Sequence, residues 1–247
     1  MSPEHGRRFE ELLSMHFLAH HAVSPGPDAP GMIECIVEMP ADCPVKIELS
    51  KASGLPRIDR PQKYSSRNPT PYGLFPQTYC GPRVASLCMK RTKLKNMVGD
   101  GDPLDVCVLT SSNLPPMTAL QMRVRPIGGL PMVDRKEADD KIIAVLENDP
   151  VYGEYQDIRE VPESLLQQLE HYFLSYKRPP GKDGERVVSI KGRYGRKEAL
   201  AVIKASMEDY EEKYLSSHER LVLMQQLLTE AVTGQNGKAP KAARRKR

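Results

Sequence analysis

The segment Gly99-Asp-Gly-Asp-Pro-Leu-Asp-Val106 places three carboxylates, Asp100, Asp102 and Asp105, within six residues. An intervening glycine and a proline restrict the backbone, so the segment must form one fixed turn. Two carboxylates about 4 Å apart repel each other by roughly 4 kcal/mol at an effective dielectric constant of about 20. A fold that contains this turn must therefore bring positive charge to it, and carboxylate oxygens favour magnesium, manganese or calcium.

Two other interpretations of the acidic turn have to be weighed. A calcium-binding EF-hand loop that starts at Asp100 needs Gly at its sixth position and Glu at its twelfth. The chain has Asp105 and Ser111 at these positions, so the EF-hand interpretation fails. A solvated acidic turn without a ligand remains open on this motif alone.

Further polar residues extend the turn into a larger pattern. Asp134, Asp139 and Asp140 form a second acidic stretch, which leads through Lys141 into a strand-like run. Two acidic clusters are what a pair of metal ions that share an activated water needs. Other candidates for the same site are Glu38, Lys46, Glu48, Arg60, Tyr176 and Lys177, of which Lys46 and Glu48 are two residues apart and share one face of a strand.

Short strand-like runs fill the first two thirds of the chain, where apolar and polar residues alternate as in a sheet with one buried face. Lys51-Ala-Ser-Gly54 has the composition of a turn. The Pro- and Tyr-rich segment from Arg60 to Gly81 is predicted to be an ordered loop, and the basic segment from Arg83 to Lys95 a long loop or a short helix. The predicted strands are Ile33–Met39, Val45–Leu49, Asp105–Thr110, Leu120–Pro126, Lys141–Glu147 and, later, Val187–Lys191.

Helical periodicity dominates the last third of the chain. Pro162 suits the first turn of a helix, and six apolar residues between Leu165 and Tyr176 form one stripe. Further helices are predicted from Arg196 to Tyr214 and from Glu219 to Val232. Many short strands followed by helices predict a mainly β fold, a small closed barrel with helices packed outside it.

Composition argues against several classes of protein. No apolar run approaches the roughly 18 residues of a membrane span. Acidic residues and histidines interrupt the apolar stretch near the N-terminus, which argues against a signal or transit peptide. The net charge is +4, but without the six cations of the last ten residues 30 basic side chains face 32 acidic ones. The body of the protein is therefore not a basic, nucleic-acid-binding domain.

The five cysteines contain no Cys-x-x-Cys pair. This pattern indicates a reducing compartment and thiols that serve as small core residues. A zinc site built from Cys80, Cys88 and a histidine is the alternative.

Taken together, these motifs resemble the soluble family I inorganic pyrophosphatases. The resemblance covers the chain from about Met32 to Tyr214, and its most specific part is Asp-Gly-Asp-Pro-Leu-Asp at 100–105. It implies a closed five-stranded β-barrel of the OB type with flanking α-helices. Other segments that match in the order of the family are Val37-Glu-Met-Pro40, Val45-Lys-Ile-Glu48, Ile58-Asp-Arg60, Tyr72-Gly73, Asp134 to Lys141 and His171-Tyr-Phe-x-x-Tyr-Lys177.

The same resemblance implies an activity and a cofactor. The enzyme would hydrolyse inorganic pyrophosphate to two orthophosphates, with several Mg²⁺ ions in each active site and a metal-activated water as nucleophile. Mn²⁺ or Zn²⁺ would act as substitutes for Mg²⁺. This chemistry is coherent, because metals and cationic side chains neutralise a compact anion while the bridging oxygen leaves.

Roles for individual residues also follow from the resemblance. Asp102 would be the general base toward the attacking water. The metal ligands would be Asp100, Asp105, Asp134 and Asp139. The residues that bind the substrate would be Lys46, Arg60, Tyr72, Lys141, Tyr176 and Lys177, with Glu38 and Glu48 in supporting positions that act through water.

Some features depart from the family pattern. Asn68 stands where many members have a tyrosine, four residues before the Tyr-Gly pair. The segment from Arg83 to Lys95 is longer than in the shortest members, and the helix and tail after Tyr214 are extra; we expect these regions to affect assembly or partners. The chain then divides into an N-terminal extension (1–31), a catalytic domain (32–215), a C-terminal helix (216–234) and a disordered basic tail (235–247).

An OB-type barrel with a basic tail also suits a nucleic-acid-binding module. The chain has no Trp and only four Phe, and its body is slightly acidic, so it offers few surfaces for base stacking. The resemblance to the pyrophosphatases implies instead a cytoplasmic enzyme that forms a homo-oligomer, and the lack of a long apolar run leads us to expect no contact with membranes. Contact of the basic tail with nucleic acid or another polyanion is the less favoured alternative.

Overall fold

The computed structural model describes residues 19–50, 53–177 and 188–214, together with parts of the segment 222–229. The N-terminal segment before residue 19 and the basic tail 235–247 lie outside these residues, as does most of the helix predicted from Glu219 to Val232. Within the described part of the chain, no helix is long and apolar enough to cross a membrane.

Residues 19–50, 53–177 and 188–214 form twelve strands, four α-helices and one 3-10 helix (Ile158–Glu160). The strands are β1 (Ile33–Met39), β2 (Val45–Leu49), β3 (Pro56–Pro61), β4 (Tyr72–Leu74), β5 (Val98–Gly99), β6 (Asp105–Leu109), β7 (Leu120–Leu130), β8 (Met132–Asp134), β9 (Glu137–Ala138), β10 (Lys141–Leu146), β11 (Val188–Ile190) and β12 (Tyr194–Gly195). The helices are α1 (Ala19–Ala22), α2 (Pro82–Thr92), α3 (Glu163–Ser175) and α4 (Arg196–Lys213).

Five of the strands close into a barrel. They are hydrogen-bonded in the order β1, β4, β6, β10 and β7, and the pairing of β7 with β1 completes the ring. All neighbours are antiparallel except β6 and β10, which run parallel. The predicted closed five-stranded barrel of the OB type with flanking helices is confirmed.

Alternate residues of the barrel strands face two apolar clusters, as the two-residue period of a strand requires. Val106 and Ile142 belong to the cluster that contains Val202 of α4, whereas Ile143 belongs to the cluster that contains Leu169 of α3. The helix α3 buries the apolar stripe predicted for it. All five cysteines are buried and free, which confirms their prediction as core residues.

The segment from Arg60 to Gly81 differs from its prediction, because it contains the end of β3 and all of β4. The loop prediction was therefore wrong in these two places. β3 runs from Pro56 to Pro61, and all but one of its residues are exposed. A strand that buries neither face shows no alternation of apolar and polar residues, which is why the pattern did not reveal it.

The basic segment after Gly81 forms the helix α2, one of its two predicted alternatives. Pro82 occupies the first helical turn, where a missing N–H has no cost. The Asp209 carboxylate of α4 accepts hydrogen bonds from the backbone N–H groups of Gly81, Arg83 and Val84. The N-terminus of α2 is thus capped by a residue of the last described helix.

Candidate active site

Strand register brings the two acidic segments together. β5 and β9 are parallel, with Gly99 opposite Ala138. Asp100 and Asp139 directly follow these two residues in the chain, so their backbones lie next to each other at the ends of β5 and β9. In the next strand of each segment along the chain, Asp105 lies opposite Lys141 at the start of the parallel strands β6 and β10.

Lys141 lies at the centre of this carboxylate group. Its Nζ donates hydrogen bonds to Oδ2 of Asp105 and to Oδ1 of Asp139. The residue is 3% exposed. Burial alone would lower the pKa of Lys141, but the two carboxylates raise it well above its usual value, and the ammonium therefore stays charged.

One ammonium is not enough for the three carboxylates around it. Burial and then the charge of Asp139 raise the pKa of Asp100 to about 8. Burial also raises the pKa of Asp105, although Lys141 opposes the shift and the Tyr72 hydroxyl donates a hydrogen bond to this carboxyl group. Ionisation of all three carboxyl groups is therefore unfavourable beside a single ammonium, because it would leave an excess of negative charge that a further cation would relieve.

The donor set fits a hard divalent cation. As the side chains stand in the described part of the chain, no three His, Cys, Asp or Glu residues converge on one metal position. Lys141 takes the place between Asp105 and Asp139, and the available donors are carboxylate oxygens, which magnesium and calcium prefer. Cys80 and Cys88, the sulfur ligands of the alternative zinc site, are both buried among apolar side chains, each in a different cluster.

A second group of charged residues lies on the β2–β3 hairpin. The Lys46 ammonium forms ion pairs with Glu48, as their predicted common face requires, and with Asp59 at 3.5 Å. Arg60 is the register partner of Lys46 on β3. Asp59 was not predicted as a site residue, although it lies inside the motif Ile58-Asp-Arg60.

Glu38 of β1 connects this hairpin with the carboxylate group. Its Oε1 accepts a hydrogen bond of 2.7 Å from the backbone N–H of Leu49. Burial raises the pKa of Glu38 to about 7, and the negative charges of Asp105 and Glu48 add to the effect. Glu38 is therefore within electrostatic range of both groups.

A third group surrounds the C-terminal end of α3. The guanidinium carbon of Arg60 lies 5.6 Å from the centre of the Tyr176 ring, and the Lys177 ammonium lies 5.4 Å from it. Lys177 also donates to Oδ2 of Asp134 at 2.5 Å. Tyr176 is in addition within electrostatic range of Lys46 and Lys141. The structure thus brings four of the predicted substrate-binding residues around Tyr176, whereas Tyr72 lies beside Lys141, whose ammonium is 5.8 Å from the centre of its ring.

Asp102 lies on the rim of this arrangement. The residue is exposed, and its backbone is fixed by two hydrogen bonds. Its N–H donates to Oδ1 of Asp100 at 2.9 Å, and its carbonyl accepts from the N–H of Cys80 at 2.8 Å. Gly101 adopts a φ of +77°, a conformation that favours glycine. The turn therefore holds Asp102 next to Asp100 with its side chain toward solvent.

Asn68, which departs from the family pattern, is buried and bonds to the backbone. Its Nδ2 donates to the carbonyls of Pro40 at 2.6 Å and Thr70 at 2.9 Å, and its Oδ1 accepts from the N–H of Cys43 at 3.1 Å. The amide satisfies two backbone groups of the β1–β2 connection and one of the connection before β4, and so joins the two connections. Its described contacts serve this local structure.

Comparisons with known proteins identify the family. A family model described as inorganic pyrophosphatase matches residues 35–211. The chain belongs to the inorganic pyrophosphatase family. The inorganic pyrophosphatase of Chlamydia trachomatis (serovar L2) is 47% identical over 180 residues, which cover 71% of this chain and 85% of the relative. The soluble inorganic pyrophosphatase of Oryza sativa subsp. indica is 36% identical over 206 residues, which cover 83% of this chain and 85% of the relative.

Solved structures agree with this family. The inorganic pyrophosphatase of Thermus thermophilus aligns with a TM-score of 0.64 and 30% identity, over 76% of this chain and 97% of the other. The inorganic pyrophosphatase of Neisseria gonorrhoeae aligns with a TM-score of 0.63 and 30% identity, over 78% and 99%. The pyrophosphatase match includes the whole chain from Glu38 to Lys177, and hence every residue of the three groups described above.

Proposed function

We propose that this chain hydrolyses inorganic pyrophosphate to two orthophosphates and that Mg²⁺ is its cofactor, with Mn²⁺ or Zn²⁺ as substitutes. Members of the inorganic pyrophosphatase family are metal-dependent hydrolases of pyrophosphate. The observation that carries the proposal is the group of three carboxylates around Lys141, beside the cations that surround Tyr176. One site thus combines oxygen ligands for metal ions with cations for phosphate oxygens.

Four aspartates would hold the metal ions, namely Asp100, Asp105, Asp134 and Asp139. Bound Mg²⁺ would lower the pKa of water and offset the charge of the phosphates. The Lys141 ammonium, which now contacts Asp105 and Asp139, would turn toward a phosphate oxygen when a cation takes over these carboxylates. The excess negative charge that full ionisation of the group would leave supports this exchange of partners.

The substrate would be held by cations that are already oriented by carboxylates. Lys46 is paired with Glu48 and Lys177 with Asp134, so both ammonium groups are fixed before the substrate arrives. Preorganised donors stabilise developing charge without a cost of reorganisation during the reaction. The proposed ligands of phosphate oxygens are Lys46, Arg60, Tyr72, Lys141, Tyr176 and Lys177.

Asp102 would accept a proton from the attacking water at its carboxylate. Its exposure supports this role, because the side chain remains accessible to water while the turn holds it next to Asp100. Glu38 and Glu48 would act on the reaction through water molecules. The hydrogen bond of Glu38 with Leu49 fixes the direction of its carboxyl group.

We further propose that the enzyme is cytoplasmic and a homo-oligomer, with residues 1–31, 216–234 and 235–247 as additions to a catalytic domain of residues 32–215. Free buried cysteines support a reducing compartment. Light scattering of the full chain tests assembly, since a mass equal to that of one chain contradicts the homo-oligomer.

Phosphate release from pyrophosphate by the purified chain tests the proposed function. We expect release with Mg²⁺, no release after chelation of the metal, and loss of release in Asp105→Asn. Asp42→Asn is the matched control, because Asp42 is exposed and lies outside the three groups. Equal release with and without metal, or normal release by Asp105→Asn, would contradict the proposal.

A further inference from the structure

The last turn of α2 contacts Asp140 of the acidic segment through the side chain of Arg91. Nη1 of Arg91 donates to Oδ2 of Asp140 at 3.0 Å, and the guanidinium carbon lies 4.0 Å from the centre of the Tyr194 ring. The Tyr194 hydroxyl lies 3.4 Å from the same Oδ2 atom. These three side chains, from α2, the β9–β10 connection and β12, contact one another, and we call them the Arg91 clamp.

The clamp is a buried ion pair. The side chain of Asp140 is 0% exposed and that of Arg91 20%. Oδ1 of Asp140 has no hydrogen-bond partner among the described residues, and Oδ2 receives both polar contacts of the clamp. A buried ion pair contributes little to stability compared with apolar residues of the same volume. A geometric role therefore explains the clamp better than stability does.

A glycine of the barrel makes room for the clamp. Tyr194 pairs with Gly129 of β7 in the antiparallel ladder. A Cβ atom at Gly129 would lie 2.5 Å from the Tyr194 ring, which is closer than real Cβ atoms approach. The ring can lie flat against β7 only because residue 129 has no side chain. The barrel wall thus supports one side of the clamp.

The clamp and the carboxylate group share one short segment. Asp139 and Lys141 contact each other in the carboxylate group, whereas Asp140 between them contacts Arg91 and Tyr194. The backbone N–H of Asp139 also donates to the carbonyl of Met132 at 3.0 Å. A displacement of Asp140 would therefore move both of its neighbours.

We propose that Arg91, Asp140 and Tyr194 are positioning residues that set the place of the Asp139 carboxylate and the Lys141 ammonium, and through them the affinity of the site for a divalent cation. The inference rests on the proposed role of Asp139 as a metal ligand. It also assigns a function to α2, which lies outside the barrel.

The test measures binding of Mn²⁺ alone to the full chain by electron paramagnetic resonance, next to kcat and KM with Mg²⁺. Arg91→Lys keeps the charge but loses the planar stack on Tyr194. We expect it to weaken Mn²⁺ binding about 10-fold or more, as for other partners of metal ligands. Tyr194→Phe keeps the ring and loses one hydrogen bond, so a smaller loss of about 2- to 10-fold is expected.

Arg83→Lys is the matched control, because Arg83 lies at the other end of α2 and pairs with Asp209 and Glu212. We expect this variant to bind Mn²⁺ like the unchanged chain. The proposal is overturned if Arg91→Lys and Tyr194→Phe lower the melting temperature as Arg83→Lys does but leave Mn²⁺ affinity unchanged. Should Arg91→Lys fail to fold, the result with Tyr194→Phe decides.

Asp139→Asn separates the two proposals. If Asp139→Asn loses Mn²⁺ binding while the clamp variants keep it, the clamp is overturned and the metal role of Asp139 stands. If Asp139→Asn binds Mn²⁺ normally, the metal role itself fails, and the clamp falls with it.

Discussion

Lys141 and Asp105 occupy opposite positions on two parallel strands, and the ammonium of Lys141 donates to the carboxylate of Asp105. The two residues are 36 positions apart in the sequence, yet strand register alone fixes their distance. Because β6 and β10 both belong to the closed barrel, the backbones of the two residues cannot shift relative to each other without a slip of the whole ladder, whereas the ammonium can still turn. The buried Lys141 is thus built on a strand of the closed barrel.

Replacement of Lys141 by Met should therefore lower stability most strongly in the absence of metal. Removal of one partner of a buried ion pair costs about 3–5 kcal/mol, because the other charges remain buried. Added Mg²⁺ should restore a larger share of the stability in Lys141→Met than in the unchanged chain. Chemical denaturation with and without Mg²⁺ measures both differences, and equal effects of Mg²⁺ on the two proteins would contradict the expectation.

Asp102→Asn should keep the fold and much of the metal binding but lose most of the turnover. The residue is exposed, so the exchange of its carboxylate for an amide disturbs no core packing. General bases contribute about 10²- to 10⁴-fold to the rate. A variant that keeps more than about half of the turnover at saturating Mg²⁺ would show that another group takes the proton.

Calcium should enter the site and compete with magnesium but support almost no hydrolysis. Magnesium requires near-octahedral ligands at about 2.0–2.1 Å, whereas calcium accepts about six to eight at about 2.3–2.6 Å. An error near 1 Å in the position of reacting groups costs about 100-fold in rate. Phosphate release at fixed Mg²⁺ during titration with Ca²⁺ tests this, and sustained turnover with Ca²⁺ as the sole metal would refute it.

Asp149→Asn should destabilise the protein far from the site. The Asp149 carboxylate accepts hydrogen bonds from the backbone N–H groups of Ser111, Val151 and Tyr152 and from the hydroxyls of Thr110 and Ser111. An asparagine side chain would place its own N–H groups against some of these N–H and O–H donors, which then lose their acceptor. We expect a loss of about 2–3 kcal/mol in the free energy of unfolding at neutral pH.

The effect of Asp149 also has a predictable pH dependence. Burial alone would raise its pKa, but the hydrogen bonds lower it well below the usual value. A carboxyl group with a lowered pKa in the folded state stabilises above its unfolded pKa of about 3.9 and loses this effect as the pH falls further. Stability curves of the unchanged chain and Asp149→Asn should therefore converge below about pH 4, and a constant difference would contradict this.

Deletion of residues 235–247 should leave the hydrolysis rate within about twofold, since a segment with six cations and no large apolar side chain has no means to build a core. If the tail binds a polyanion, this binding should weaken steeply with salt and disappear in the truncated chain. Loss of hydrolysis on truncation, or binding that does not depend on salt, would contradict the expectation.

The sequence predicted those parts of the site and fold that depend on residues close together in the chain. The turn from Asp100 to Asp105, the common face of Lys46 and Glu48, and the apolar stripe of α3 each follow from spacing alone. The pairing of Asp59 with Lys46 across a hairpin was missed, because β3 has no buried face that would reveal it. The contact of Arg91 with Asp140 joins residues 49 positions apart, and no local pattern links them.

Because Asp209 caps α2, the N-terminus of this helix can be anchored only late in synthesis of the chain. Gly81 leaves the ribosome 128 residues before Asp209 does. At about 5–20 residues per second this interval is on the order of ten seconds. The barrel strands are complete once Leu146 at the end of β10 has been synthesised, but the acceptor for the first N–H groups of α2 is still absent until Asp209 follows. Translation of nearly the whole catalytic domain is therefore needed before α2 can be anchored.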